Sequence, residues 1–173
     1  MRIVVSVQAK KASSRGLVHY VAHSKIDAAR EPNTREIFNS YADSITVEKA
    51  NLFLKSSAPA GGAARPSNED LHHLVISLRA EDYDRLGADE KERQESLKKI
   101  TRETMKQLEK SVGADKLNWA AGIHRNTDNP HIHVAVQKEY FDQNFEKKSF
   151  DKIPARCLPH YEKSENDKRL APG

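Results

Sequence analysis

The sequence predicts an α+β fold, a central mainly antiparallel sheet with helices packed on it. Three observations carry this expectation. The strand-like runs are short and apolar, one long segment has helical period, and a turn-rich linker joins two alternating runs into a hairpin. The order strand, helix, loop, strand, long helix, hairpin suits antiparallel pairing with helices laid over the sheet.

The elements follow in order. Residues 2–8 are β-branched and continuous (Ile3, Val4, Val5, Val7), which predicts a buried strand. Ser13 and Ser14 can cap a short helix running to about residue 23, with Leu17, Val18 and Val21 on its apolar side; this helix carries Tyr20. Residues 28–66 are irregular, with one helix-like piece over 47–54 and a flexible Ser/Ala/Gly/Pro loop over 56–62. Residues 72–78 alternate as a strand, with Leu74, Ile76 and Leu78 on one face and His73, Val75 and Ser77 on the other. Over 89–112, Leu97, Ile100, Met105, Leu108 and Val112 recur at helical spacing. The helix ends at Gly113, where a left-handed cap is expected, and its charged remainder is a solvated face.

The chemistry-bearing segment comes next. Residues 119–124 form a strand with Trp119, Ala121 and Ile123 on one face and Ala120, Gly122 and His124 on the other. From His131 onward His131 and His133 share a face, and Ile132, Val134 and Val136 line the opposite one. Asn126, Thr127, Asp128, Asn129 and Pro130 between them are turn formers, so a hairpin returns His124 beside His131 and His133. A single strand histidine is usually a hydrated surface residue. Three at this spacing, on matched faces, can converge on one metal ion, and three imidazoles with open positions suit a catalytic site better than a closed structural one. Asp128 can orient a ligand by accepting from its second ring nitrogen.

Composition bounds the rest. With 173 residues, one domain plus a tail is expected, and no internal repeat is evident. A formal charge of +4 is compatible with a phosphate-bearing partner without being diagnostic of one. Positive charge concentrates at Lys10, Lys11 and Arg15, at Lys25 and Arg30, and at Lys147 and Lys148. Cys157 is the only cysteine, which excludes an intrachain disulfide and fits a reducing compartment. Neither a signal peptide nor a membrane segment is recognisable, so a cytoplasmic location is expected. After Tyr140 the periodicity fades, and Pro154, Pro159 and the polar stretch 162–169 predict a loosely attached tail.

The His-x6-His-x-His hairpin, from His124 through His131 to His133, resembles the signature of the HUH endonucleases. More narrowly, His124 to Val134 resembles the third motif of plasmid mobilisation relaxases, particularly the P-type group. The stretch Gly16-Leu17-Val18-His19-Tyr20-Val21 is similar to the N-terminal motif with the nucleophilic tyrosine, and His72 to Leu78 to the strand before the long helix. The resemblance implies the HUH relaxase fold. It implies a nuclease domain over 1–140 and a tail or accessory helix over 141–173, leading to a further domain in a longer natural protein.

The implied activity is strand-specific nicking and rejoining of single-stranded or supercoiled DNA at an origin of transfer. In it Tyr20 attacks the scissile phosphate and becomes a 5′-phosphotyrosine, and His124, His131 and His133 hold Mg²⁺ or Mn²⁺. Asp128 orients a histidine or accepts the tyrosine proton, and Lys11, Arg15, Lys25, Arg30 and Arg125 clamp DNA phosphates. Relaxosome accessory proteins and a coupling protein are the implied partners. Where the motif often has an aspartate two positions after its first histidine this chain has Asn126, which leaves Asp128 as the local carboxylate. Histidine nucleophiles exist among relatives, and His19 and His23 flank Tyr20, with Tyr41 a reserve. Rolling-circle initiators and transposases of the HUH type share the motif, and a non-catalytic origin-binding module would keep the fold.

Overall fold

The computed structural model describes residues 3–7, 16–22, 37–54, 70–125 and 129–151. Its centre is a five-stranded sheet: β1 (Ile3–Val7), β2 (Ile37–Phe38), β3 (Leu71–Leu78), β5 (Trp119–His124) and β6 (His131–Gln137). The spatial order is β1-β3-β6-β5-β2 and every pairing is antiparallel, as expected for an α+β fold. A smaller sheet, β4 (Ala114–Lys116), β7 (Glu139–Asp142) and β8 (Lys147–Ser149), lies beside it. The helices are α1 (Leu17–Ala22), α2 (Val47–Leu54), α3 (Ala80–Asp84) and α4 (Glu90–Val112).

Helix α4 covers one face of the large sheet. Its buried Leu97, Met105 and Leu108 join Leu74, Ile76, Trp119, Ala121, Ile132 and Val134 in the main core. Period-two alternation puts the large apolar residues of three strands on this side. The α4 start is fixed by Asp89, whose Oδ1 accepts from the Glu92 amide at 2.8 Å, and its end by Gly113 in the left-handed conformation, φ 75°. Both ends coincide with the expected boundaries.

The opposite face is thinner. Ala120, Ala135, Leu71 and Ile37 pack there against Leu17, Val18, Val21 and Ala22 of α1 and Ala50 and Leu54 of α2. The Ser13–Ser14 cap expected for α1 lies outside the described residues, and so does the loop over 56–62. The two-residue strand β2 was not expected, because two residues are too few to show a period; Ile37 and Phe38 are nonetheless fully buried.

Ordered structure runs past residue 140. β7 and β8 form a hairpin, Phe150 is buried in the main core, and the His72 Nε2–H donates to the Phe150 carbonyl oxygen at 2.6 Å. The Tyr140 hydroxyl donates to the Val112 carbonyl at 2.7 Å, tying this hairpin to the end of α4. The polar stretch 162–169 lies outside the described residues.

Candidate metal centre

The hairpin of β5 and β6 pairs His124 directly with His131, and Gly122 with His133. Residues opposite one another in an antiparallel pair share a face, and i and i+2 share a face along a strand. All three histidines therefore project to the α1 side of the sheet, at the end nearest the hairpin turn. Their candidate ligand nitrogens lie within 4.8 Å of one another. Ring centroids are 4.2 Å apart for His124 and His133, 4.9 Å for His131 and His133, and 5.4 Å for His124 and His131. His124 and His133 are buried and His131 is half-buried, so the cluster is reached from the His131 side.

Hydrogen bonds set the tautomers of two of the three rings. His124 Nε2–H donates to the Val21 carbonyl oxygen at 2.7 Å, and His131 Nδ1–H donates to the Asn129 carbonyl oxygen at 3.0 Å. A carbonyl only accepts, so in the neutral rings the lone pairs sit on Nδ1 of His124 and Nε2 of His131. The Val21 carbonyl reaches His124 because residue 122 is glycine. A Cβ there would stand 2.5 Å from the Val21 oxygen and 3.2 Å from its Cγ1. The small residue is required by the close approach of helix to sheet.

The same helix delivers Tyr20, whose backbone N–H donates to the Gly16 carbonyl oxygen at 3.1 Å. Its half-buried ring lies over the histidine cluster, 5.2 Å centroid to centroid from His133 in an edge-on arrangement and 6.4 Å from His124. The sequence-distant pairing of Tyr20 with the His hairpin is thus a property of the fold.

A fourth imidazole joins the group. His73 on β3 lies 5.6 Å from the Tyr20 ring, and its Nε2 is 2.7 Å from His133 Nδ1. Burial lowers its pKa to about 4, which leaves it neutral at physiological pH. Sequence reasoning placed His73 on a strand face without a role. Alternation gave the facing correctly, but the register that sets Val75 opposite His133 is a long-range pairing that no local pattern encodes.

Other residues are not brought together here. Arg125 follows His124 and turns to the other side, where its Nη1 meets Glu90 Oε1 at 2.6 Å at the start of α4. Glu90 Oε1 also accepts from the Tyr83 hydroxyl at 2.7 Å and from Gln94 at 3.1 Å. Burial, and then the bond to Glu90, raise the Tyr83 pKa above the ordinary phenol range. Tyr41 is exposed in the loop after β2, with its ring against Phe53 and Lys116. By the β2–β5 register that loop continues toward the Trp119 end of β5, away from His124. Asp128, Lys11, Arg15, Lys25 and Arg30 lie outside the described residues.

The donor chemistry fits a divalent cation: three convergent imidazoles, two of them with the tautomer fixed by a carbonyl on the second nitrogen. An antiparallel sheet bearing a His-x6-His-x-His hairpin beneath a tyrosine-bearing helix is the arrangement expected of a HUH endonuclease. The family model of the MobL relaxases matches residues 27–153, and the chain belongs to that family. It is thereby a relaxase acting in mobilisation. The matched stretch contains His73, His124, His131 and His133 and begins after Tyr20. No curated protein and no solved structure matches the chain. Among the described residues no helix is long and apolar enough to cross a membrane.

Proposed function

We propose that the protein nicks one strand of DNA at an origin of transfer by transesterification, with Tyr20 as nucleophile and His124, His131 and His133 holding a divalent cation. The observation that carries this reading is the seating of the Tyr20 ring 5.2 Å from His133, one of three imidazoles whose ligand atoms cluster within 4.8 Å. When bound, the cation polarises the non-bridging oxygens of the scissile phosphate and aligns it for in-line displacement. Mn²⁺ fits the three nitrogen donors better than Mg²⁺, whose hard shell favours oxygen.

The chain supplies the rest. Tyr20 Oη forms a bond to phosphorus while the bond from phosphorus to the 3′ oxygen breaks. The phenol proton ends on the departing oxygen, leaving a free 3′-OH and a 5′-phosphotyrosine. A phenol of pKa about 10 is a weak nucleophile at neutral pH, so a base or cation must assist it. Asp128 is the proposed local carboxylate for that proton or for orienting a ligand. The phosphoester energy is retained in the phosphotyrosine, so the 3′-OH can reverse the step and rejoin the strand without a nucleotide cofactor. Lys11, Arg15, Lys25 and Arg30 are proposed to hold DNA phosphates; such contacts position the strand without reading its sequence. Arg125 is the weakest of that set, because Glu90 already holds its guanidinium. Accessory relaxosome proteins and a coupling protein are the proposed partners.

The test is a denaturing gel of the protein with single-stranded origin-region oligonucleotides. A covalent adduct is expected with Mn²⁺ and none after chelation, and mass spectrometry should place the nucleotide on Tyr20. Tyr20→Phe and His131→Ala should each abolish it. An adduct persisting in Tyr20→Phe moves the nucleophile to another residue, and unaltered nicking by His131→Ala removes the metal from the mechanism.

A further inference from the structure

We infer that His73 is the positioning residue of the metal centre, accepting a hydrogen bond from His133 Nδ1–H and so turning the lone pair of His133 Nε2 to the cation. This rests on the reading of the three histidines as metal ligands. The other two rings each donate through one nitrogen to a backbone carbonyl, Val21 for His124 and Asn129 for His131. His133 has the equivalent contact at 2.7 Å, but its partner is an imidazole nitrogen, which can either donate or accept. Only one direction is compatible with coordination through Nε2. If His73 donated, His133 would carry its proton on Nε2 and could not bind a cation there. With His73 accepting, its own proton sits on Nδ1, and all three ligands have a fixed tautomer.

Three further features support the assignment. His73 is 6% exposed, so water does not compete for the bond to His133. It stands on β3, the strand hydrogen-bonded to β6, with Ala135 as its direct partner and His133 on the next same-face position. A small Ala135 leaves the His73 ring room to lean toward His133. The Tyr20 ring packs edge-on against both, at 78° to His73 and 80° to His133, so the same imidazole borders the proposed nucleophile. His73 thus links the strand pairing of the sheet to the orientation of a ligand and to the seat of Tyr20.

The experiment is calorimetric titration of the full chain with Mn²⁺, together with the visible spectrum of the Co²⁺-loaded protein, for wild type, His73→Ala and His73→Gln. His73→Ala removes the acceptor, and losing such a partner costs about 10–100-fold in metal affinity. His73→Gln offers an amide oxygen in its place and should recover most of that affinity, with Co²⁺ bands at the wild-type positions because the ligand set is unchanged. Wild-type affinity in His73→Ala overturns the inference. Loss in His73→Ala without recovery in His73→Gln, accompanied by altered Co²⁺ bands, overturns it in favour of His73 as a fourth ligand. If His73→Ala does not fold, His73→Gln decides alone: retained affinity supports the acceptor role and lost affinity overturns it. Failure of the wild type to bind Mn²⁺ removes the metal reading itself, an outcome distinct from the other three.

Discussion

The two faces of the central sheet are built from different side chains and answer to different demands. Beneath α4 the strands present Leu74, Ile76, Trp119, Ile132 and Val134, large residues filling a core. Beneath α1 the same strands present Leu71 and Val75 but otherwise the small Ala120, Gly122 and Ala135, and then His73, His124, His131 and His133. One face gains its stability from buried area, with each large apolar side chain worth about 1.5–3 kcal/mol. The other trades that area for closeness. Small residues let a short helix sit near enough to the sheet for a backbone carbonyl to reach His124 and for Tyr20 to lie over the cluster. A cluster of buried imidazoles is tolerated there because each buried ring makes a hydrogen bond within the protein, His124 to the Val21 carbonyl and His73 with His133.

The sharpest way to break the second face is Gly122→Ala. Its new methyl would meet the Val21 oxygen at 2.5 Å, and a backbone atom cannot swing aside as a side-chain tip can. Helix α1 must lift, weakening the bond from His124 to Val21 and carrying Tyr20 away from His133. Misplacement of a reacting group by about 1 Å can cost on the order of 100-fold in rate. Single-turnover adduct formation should slow by that factor or more, with a smaller loss in thermal stability. Wild-type kinetics in Gly122→Ala would show that α1 does not set the position of the proposed nucleophile.

Leu97→Ala probes the other face. The side chain is fully buried under α4, so its truncation should cost about 2–5 kcal/mol of unfolding free energy, read from urea denaturation. The Mn²⁺ affinity of the folded protein should not change, because no cluster histidine lies on that side. A parallel loss of affinity would mean that the two faces are not separable.

The same contrast explains what was legible in the sequence. The α4 face announces itself locally: the helical period of Leu97, Met105 and Leu108 and the closing Gly113 are near-neighbour signals and appear where expected, while the Asp89 cap is a finding of the structure. The His hairpin is also local, since six residues separate its first two histidines and alternation fixes their facing. His73 was not legible as part of the cluster because its contact to His133 spans 60 residues and depends on strand register. The opposite placement of Arg125 follows from the alternation that faces His124 inward, with Glu90 of α4 as the partner that captures it. The β7–β8 hairpin escaped notice because β8 is three exposed residues whose order comes from pairing with β7 and from Phe150 docking behind it.

Asp89→Ala has the smallest expected effect and asks how independent the faces are. Asp89 accepts from the Glu92 amide at 2.8 Å, while Glu92 Oε2 accepts from the Ala88 amide at 2.8 Å, a reciprocal closure of the helix start. Removing the cap should cost about 0.5–2 kcal/mol, and Asp89→Asn, which keeps an acceptor, less. On stability alone this resembles a mild Leu97→Ala. The residue after Asp89 is Glu90, however, which grips Arg125 at 2.6 Å, and Arg125 directly follows His124. Fraying of the first turn of α4 would loosen that grip at the mouth of the hairpin. Should adduct formation in Asp89→Ala match wild type at temperatures well below its melting point, the Glu90–Arg125 pair is only an exposed surface contact. If it slows several-fold while Asp89→Asn does not, the start of α4 helps to hold the hairpin that carries the histidines, and the helix on the structural face reaches round to the chemical one.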